Sequence, residues 1–127
     1  MQQDWFADVM EFMRVNSQYI GSKPAEPPGE VRALRAALDD EEWRELRQAI
    51  LDGHLELVAD SIVDLIYVLI GRAISYGIDL RPLWDAVHRA NMAKAAGPVR
   101  EDGKRLKPEG WEPPPIAKLL MSQVPLS

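Results

Sequence analysis

The chain has 127 residues, a mass of 14.3 kDa and 46% hydrophobic content, which fits one folded domain spanning 1–127 and argues against disorder. A net charge of −5 and a pI near 5.0 argue against broad, stable nucleic-acid binding. With no cysteine, a disulfide framework, a thiolate zinc site and a thiol nucleophile are all excluded.

The opening M-Q-Q-D-W-F lacks the basic and apolar regions of a signal peptide. The longest apolar run, around 62–74, is interrupted by Asp64 and Arg72 and is too short for a bilayer, so no membrane partner is expected. A soluble cytoplasmic protein is the expectation. The first predicted helix covers about 3–19, with Trp5, Val9, Phe12 and Met13 as its apolar face and Asn16 near its end. The segment 21–29 (G-S-K-P-A-E-P-P-G) is a loop, because its prolines and glycines deny helix and sheet alike. A second helix over about 30–51 ends at Asp52-Gly53, a C-terminal glycine signal.

The third predicted helix, about 55–76, is apolar on nearly all sides over 62–74 and stops at Gly77. A helix of that kind in so small a chain calls for burial by a second copy, so at least a dimer is expected. Asp79 is the predicted N-cap of a fourth helix over about 80–94, with Pro82 in its first turn and Leu83, Trp84, Val87 and Met92 as its stripe. Glu101-Asp102-Gly103-Lys104 reads as a tight turn or small hairpin, and a short helix near 115–121 closes the chain. The fold class is therefore all-α: four to five helices in an antiparallel bundle completed by oligomerisation.

The acidic stretch D-D-E-E-W-R-E, residues 39–45, is the chemical focus. At about 100° per residue, Glu41, Glu42 and Glu45 fall within one arc of the second helix. They stand where the apolar stripe of Val31, Leu34 and Leu38 should continue toward Leu46 and Ile50. On the third helix Asp60 and Asp64 lie one turn apart, and Asp64 is enclosed by apolar neighbours. Two helices joined by a tight Gly turn pack antiparallel and can bring these carboxylates together. Charges facing a core are costly unless paired or metal-bound, and no lysine or arginine is close enough in sequence to pair them all. An oxygen-rich set of this kind suits Mg²⁺ or Mn²⁺ and phosphoanhydride cleavage. A di-iron centre fits less well, since neither His54 nor His88 follows a glutamate by three residues. A solvated acidic face is the plainer reading, but the phase of the apolar residues opposes it.

A second cluster, H-R-A-N-M-A-K (88–94), is followed by Arg100, Lys104, Arg105 and Lys107. Asn91 and Lys94 share a helix face. Metals at a scissile phosphate and cations on the remaining phosphates would suit a polyphosphate substrate. A lysine-rich loop is by itself weak, because such loops are usually just solvated. Trp111 is a candidate cover for a base, although a tryptophan near a helix end is more often core.

E-E-W-R-E at 41–45 followed by D-S-I-V-D-L-I-Y-V resembles the E-E-x-x-E … E-x-x-D signature of the all-α, MazG-like nucleoside triphosphate pyrophosphohydrolases. These are related to dimeric dUTPases and to phosphoribosyl-ATP pyrophosphohydrolase. The later run V-H-R-A-N-M-A-K … G-P-V-R-E-D-G-K-R-L-K-P-E-G-W-E-P-P resembles the C-terminal part of small bacterial and phage members, and the resemblance covers roughly 11–120. It implies a homodimer or homotetramer that hydrolyses a (d)NTP to the monophosphate and pyrophosphate with two or three Mg²⁺ or Mn²⁺ ions. It implies Glu41, Glu42, Glu45 and Asp64 as metal ligands, with Glu41 or Glu42 serving catalysis. Ser61 stands where the family has a glutamate, and Asp60 is the proposed substitute. Asn91 and Lys94 match residues that touch substrate, and Arg100, Lys104 and Lys107 are candidates for the phosphate tail. Phe12, Met13, Asn16 and Trp111 are expected around the base. Members of the group act on dUTP, on non-standard nucleotides, or on dGTP and dATP. The alternatives are hydrolysis of phosphoribosyl-ATP and a non-enzymatic helical interaction module.

Overall fold

The computed structural model describes residues 3–126. It is all-helical among them, with helices α1 (Trp5–Val15), α2 (Gly29–Asp52), α3 (Leu55–Ser75), α4 (Leu80–Ala93) and α5 (Ile116–Met121), and one 3-10 turn at Lys94–Ala96. No helix among the described residues is long and apolar enough to cross a membrane. The chain divides into two compact units, one made of the described residues of 1–79 and 123–127, the other of 80–122.

In the first unit, α1 starts two residues later than the sequence suggests because Asp4 caps it: its Oδ1 accepts from the Ala7 amide at 2.9 Å. The helix ends at Val15, where Ser17 takes φ 54° and the Gln18 amide turns back to the Met13 carbonyl at 2.9 Å. Phe6, Val9, Met10 and Met13 form its buried face. Trp5 and Phe12, expected in that face, are exposed in the single chain. The inward stripe runs i, i+3, i+4, i+7 from Phe6; it keeps Val9 and Met13 of the predicted face and has Phe6 and Met10 in place of Trp5 and Phe12.

The connection from α1 to α2 is knitted to the far end of α3. The Gly21 amide donates to the Ile74 carbonyl and the Ala25 amide to the Tyr76 carbonyl, each at 3.0 Å. Gly77, at φ 69°, lies so close to the Lys23 backbone that no side chain fits there. Helix α2 ends on Gly53 at φ 63°, and His54 immediately caps α3, its Nδ1 accepting from the Leu57 amide at 3.2 Å. Two residues therefore reverse the chain, and α2 and α3 form an antiparallel hairpin.

The inward stripe of α2 is Val31, Arg35, Leu38 with Asp39, Glu42, Leu46 and Ala49, all buried or half-buried. Leu34 and Ile50, predicted to face the core, are 52% and 57% exposed. The stripe thus has an apolar end near the turn and an ionisable middle. Opposite it, α3 presents Ser61, Asp64, Leu65, Val68, Gly71, Arg72 and Ser75. Ile62, Val63, Ile66 and Leu69, on another side of α3, are exposed in the single chain.

In the second unit Leu83 is the buried residue of α4, whereas Trp84 and Met92 of the predicted stripe are 74% and 60% exposed. The 101–104 turn is present. The Arg100 amide donates to the Lys104 carbonyl at 2.7 Å, beside an isolated bridge between Val99 and Arg105. Arg105 Nη1 donates to the Gly97 carbonyl at 2.7 Å and closes the loop from within.

Candidate metal centre and phosphate-binding residues

The α2–α3 hairpin brings together three carboxylates. Oxygens of Glu42, Glu45 and Asp64 all lie within 4.8 Å of one another. Glu42 is on the inward stripe; Glu45 sits about 60° around the helix from it and is exposed, while Asp64 is half-buried on α3. Their shared environment is electrostatically unfavourable for three anions. The Glu42 carboxyl is pushed up to about 7, first by burial and then by Glu45, Asp64 and Glu41. Burial also raises Asp64, with Asp60 and Glu45 adding to it.

The buried Oε2 of Glu42 has no hydrogen-bond partner. An unpartnered buried carboxylate oxygen beside two further carboxylates is a donor set for a hard divalent cation, and the residues fit such an ion. Glu41 and Asp60 are exposed and lie outside the 4.8 Å group, although each is close enough to raise a member of it. The phase of α2 explains the division: at about 100° from Glu42, Glu41 turns to the rim. Ser61, where a glutamate was expected, is 6% exposed and packed in the hairpin.

Between α1 and α3 lies a cavity of about 360 Å³ lined by Trp5, Asp8, Val9, Val63, Tyr67 and Ile70, among others; Glu42, Glu45 and Asp64 are not part of its lining. Val63 and Tyr67 flank Asp64 along α3. Phe12 closes edge-to-face on Tyr67, with ring centroids 5.5 Å apart. The Tyr67 hydroxyl is raised by burial and by Asp8 and Glu11. Met13, expected beside the base, is 1% exposed and belongs to the core. Asn16 ends α1, and its Nδ2 donates to the Phe12 carbonyl at 2.8 Å. Asp8 and Tyr67 were missed from sequence. The available signal was Tyr67 lying three residues after Asp64 and therefore on a neighbouring face.

In the second unit Lys94 and Lys107 place their Nζ atoms 4.8 Å and 5.0 Å from the ring centroid of Trp111. The Trp111 indole is fixed by donation to the Ala90 carbonyl at 2.8 Å. Lys94 is half-buried and Asn91, one turn before it, is exposed. Lys104 is exposed in the turn. Arg100 is bound to Asp102, with a 2.5 Å contact from Nη2 to Oδ2, so its charge is already neutralised locally.

The family model for phosphoribosyl-ATP pyrophosphohydrolase matches residues 9–91, well over half of the chain. That range includes the whole α2–α3 hairpin and ends at Asn91, so Lys94, Arg100, Lys104, Lys107 and Trp111 lie beyond it. No curated protein matches the chain significantly.

Proposed function

Since the chain belongs to the phosphoribosyl-ATP pyrophosphohydrolase family, and so to the MazG-like pyrophosphohydrolases, we propose that it is a metal-dependent nucleoside triphosphate pyrophosphohydrolase. In this reading it cleaves a (d)NTP, such as dUTP, dGTP, dATP or a non-standard nucleotide, to the monophosphate and pyrophosphate. The observation that carries the proposal is the meeting of Glu42, Glu45 and Asp64 around a buried, unpartnered carboxylate oxygen.

Glu42, Glu45 and Asp64 would hold Mg²⁺ or Mn²⁺, with Glu41 and Asp60 at the rim completing the shell of a second or third ion. Bound there, the cation supplies charge neutralisation at the phosphates and acidifies the attacking water. Glu42, the inward carboxylate of the α2 pair, orients that water and takes its proton. Glu41 stands beside it as the second catalytic candidate. The bond between the α- and β-phosphates breaks and pyrophosphate leaves. Phe12, Tyr67 and the cavity walls are the candidates for the base, with Asn16 at the end of α1. Asn91, Lys94, Lys104 and Lys107 are the candidates for the triphosphate, and Arg100 joins them only if it leaves Asp102. Trp111 holds Lys94 and Lys107 as a cationic pair. A second copy covering Ile62, Val63, Ile66 and Leu69 would make the homodimer or homotetramer.

The matched family description favours one other substrate, phosphoribosyl-ATP, which is cleaved at the same type of bond. A panel of canonical and modified (d)NTPs and phosphoribosyl-ATP, assayed with Mg²⁺ and Mn²⁺ and scored by pyrophosphate and monophosphate, decides between them. Pyrophosphate release from none of these compounds would leave the helical interaction module as the reading.

A further inference from the structure

We infer that Arg35, Asp39 and Arg72 form a positioning network that sets the register of α2 on α3 and thereby holds Glu42 and Glu45 against Asp64. The inference rests on the metal reading of those carboxylates only for what the register is used for.

Arg35 and Asp39 precede Glu42 on the same inward stripe of α2, seven and three residues earlier. Arg35 is 5% exposed, which is rare for a guanidinium. Its Nη2 donates to Gln18 Oε1 at 3.1 Å and approaches Met13 Sδ at 3.7 Å, so it ties α2 to α1. On the other side its Nη1 lies over Gly71: a Cβ at that position would come within 2.6 Å of it. Gly71 sits in the interior of α3, where glycine is a poor helix former, and its place is explained by the guanidinium that crosses it. One turn further along α2, Asp39 takes a 2.5 Å hydrogen bond from Arg72 Nε.

These contacts form a ladder. Arg35 meets Gly71, Asp39 meets the adjacent Arg72, and Glu42 and Glu45 meet Asp64 two turns earlier on α3, so the far end of one helix faces the near end of the other, as an antiparallel pair requires. A cluster of this kind is a poor stabiliser. Burial lowers the pKa of Arg35, and Arg35 Nε and Asp39 Oδ1 are buried without hydrogen-bond partners. An apolar trio at 35, 39 and 72 would pack at less desolvation cost, but apolar stripes tolerate sliding. The best-attested use of buried polar groups is to fix register. Here register is decisive, because a slip of one turn moves a helix by about 5.4 Å, more than the 4.8 Å span of the three carboxylates.

The test uses Mn²⁺ alone, followed by electron paramagnetic resonance well below the melting midpoint, on the full chain and on R72M and G71A. The dissociation constant for Mn²⁺ should rise about tenfold or more in both variants, as for ligands whose supporting contacts are lost. Should R72M fail to melt cooperatively, R72K carries the test: it keeps the charge without the Nε–H aimed at Asp39, and an affinity loss of about threefold or more is expected. A second measurement needs no metal. Spin labels at A37C on α2 and E56C on α3, in a chain without other cysteines, report the offset of the two helices. Their distance distribution should be narrow in the parent and shifted or broadened in R72M. Lower melting midpoints with unchanged Mn²⁺ affinity and unchanged label distances would overturn the inference and leave the network merely structural. A parent chain that takes up no Mn²⁺ overturns the metal reading instead, and the label distances then decide the register claim alone.

Discussion

Glu42 on α2 and Asp64 on α3 bring carboxylate oxygens within 4.8 Å of each other and of Glu45, although the chain reverses between them. The contact exists because both lie on the facing stripes of one helical hairpin, and because Arg35 and Arg72 lie further along the same pair of helices. Three anions so close are destabilising by themselves. That repulsion yields the sharpest expectations about this protein.

Removing either charge should remove the reaction. E42Q and D64N keep side-chain size while deleting a ligand, so pyrophosphate release with Mg²⁺ or Mn²⁺ should fall by about 100-fold or more. Helical content by circular dichroism should stay unchanged. Turnover equal to that of the parent would sink the assignment of this centre.

The pH dependence of the metal-free protein has a definite sign. The Glu42 carboxyl titrates near 7 in the fold, against an ordinary value of 4.5, chiefly because of burial and then Glu45 and Asp64. A raised folded-state value means that its contribution to stability is complete below the ordinary value and is lost as pH rises through about 7. Asp64 is shifted in the same direction. Melting midpoints in chelator should therefore decline from mildly acidic pH toward pH 8 or so. Saturating Mg²⁺ or Mn²⁺ should raise the midpoint, most of all at the alkaline end, since binding needs the ionised carboxylates. A chelated sample that gains stability over that interval contradicts this account.

Core and surface positions of similar chemistry should separate cleanly. Ile74 is 0% exposed, and I74A should lower the unfolding free energy by about 2–5 kcal/mol in urea titrations. Ile50 is 57% exposed in the single chain, and I50A should change it by about 0.5 kcal/mol or less. A large effect at Ile50 would instead reveal burial by a second copy.

Two glycines with left-handed backbone differ in their surroundings. Gly53 has φ 63° and open space around it, so G53A should cost about 1 kcal/mol from backbone strain alone. Gly77 has a similar φ but abuts the Lys23 backbone, so G77A should be clearly worse. Urea titration of both variants gives the order directly, and equal losses would show that the Lys23 approach is not constraining.

The lysines over Trp111 are expected to act in binding. K94A and K107A should each raise the KM for a triphosphate about tenfold, with kcat changed less, because a charge-assisted contact to phosphate is lost. A pure loss of kcat at constant KM would move these residues away from the phosphates.

Helix number, the turns and the limits of α2 to α5 were legible in the chain, whereas α1 was read as longer at both ends than Trp5–Val15. Gly53 after Asp52, Gly77 after Tyr76 and the proline-rich segments punctuate it, and backbone chemistry of that kind is local. The acidic residues were equally visible as a group. Which of them face inward was legible only in part: Glu42 and Asp64 are half-buried on the facing stripes, whereas Glu41 and Glu45 are exposed. The sequence pattern read Leu34 and Ile50 as inward, whereas the packed stripe of α2 runs through Arg35, Glu42, Leu46 and Ala49. A phase error of one residue is about 100° on a helix, enough to turn a core position to solvent. The misreading had a physical cause, since an arginine and an aspartate occupy core positions that pattern reasoning reserves for apolar side chains.

The sequence by itself therefore determined an all-helical chain with an acidic hairpin and a basic, glycine-bearing segment after α4, because propensity, capping and charge are written residue by residue. Only the tertiary structure decided that Glu42, Glu45 and Asp64 meet while Glu41 and Asp60 stay at the rim. That choice depends on the rotation and register of two packed helices. These are set by contacts between residues distant in the chain, such as Arg72 with Asp39 and Arg35 with Gly71, which no local pattern encodes.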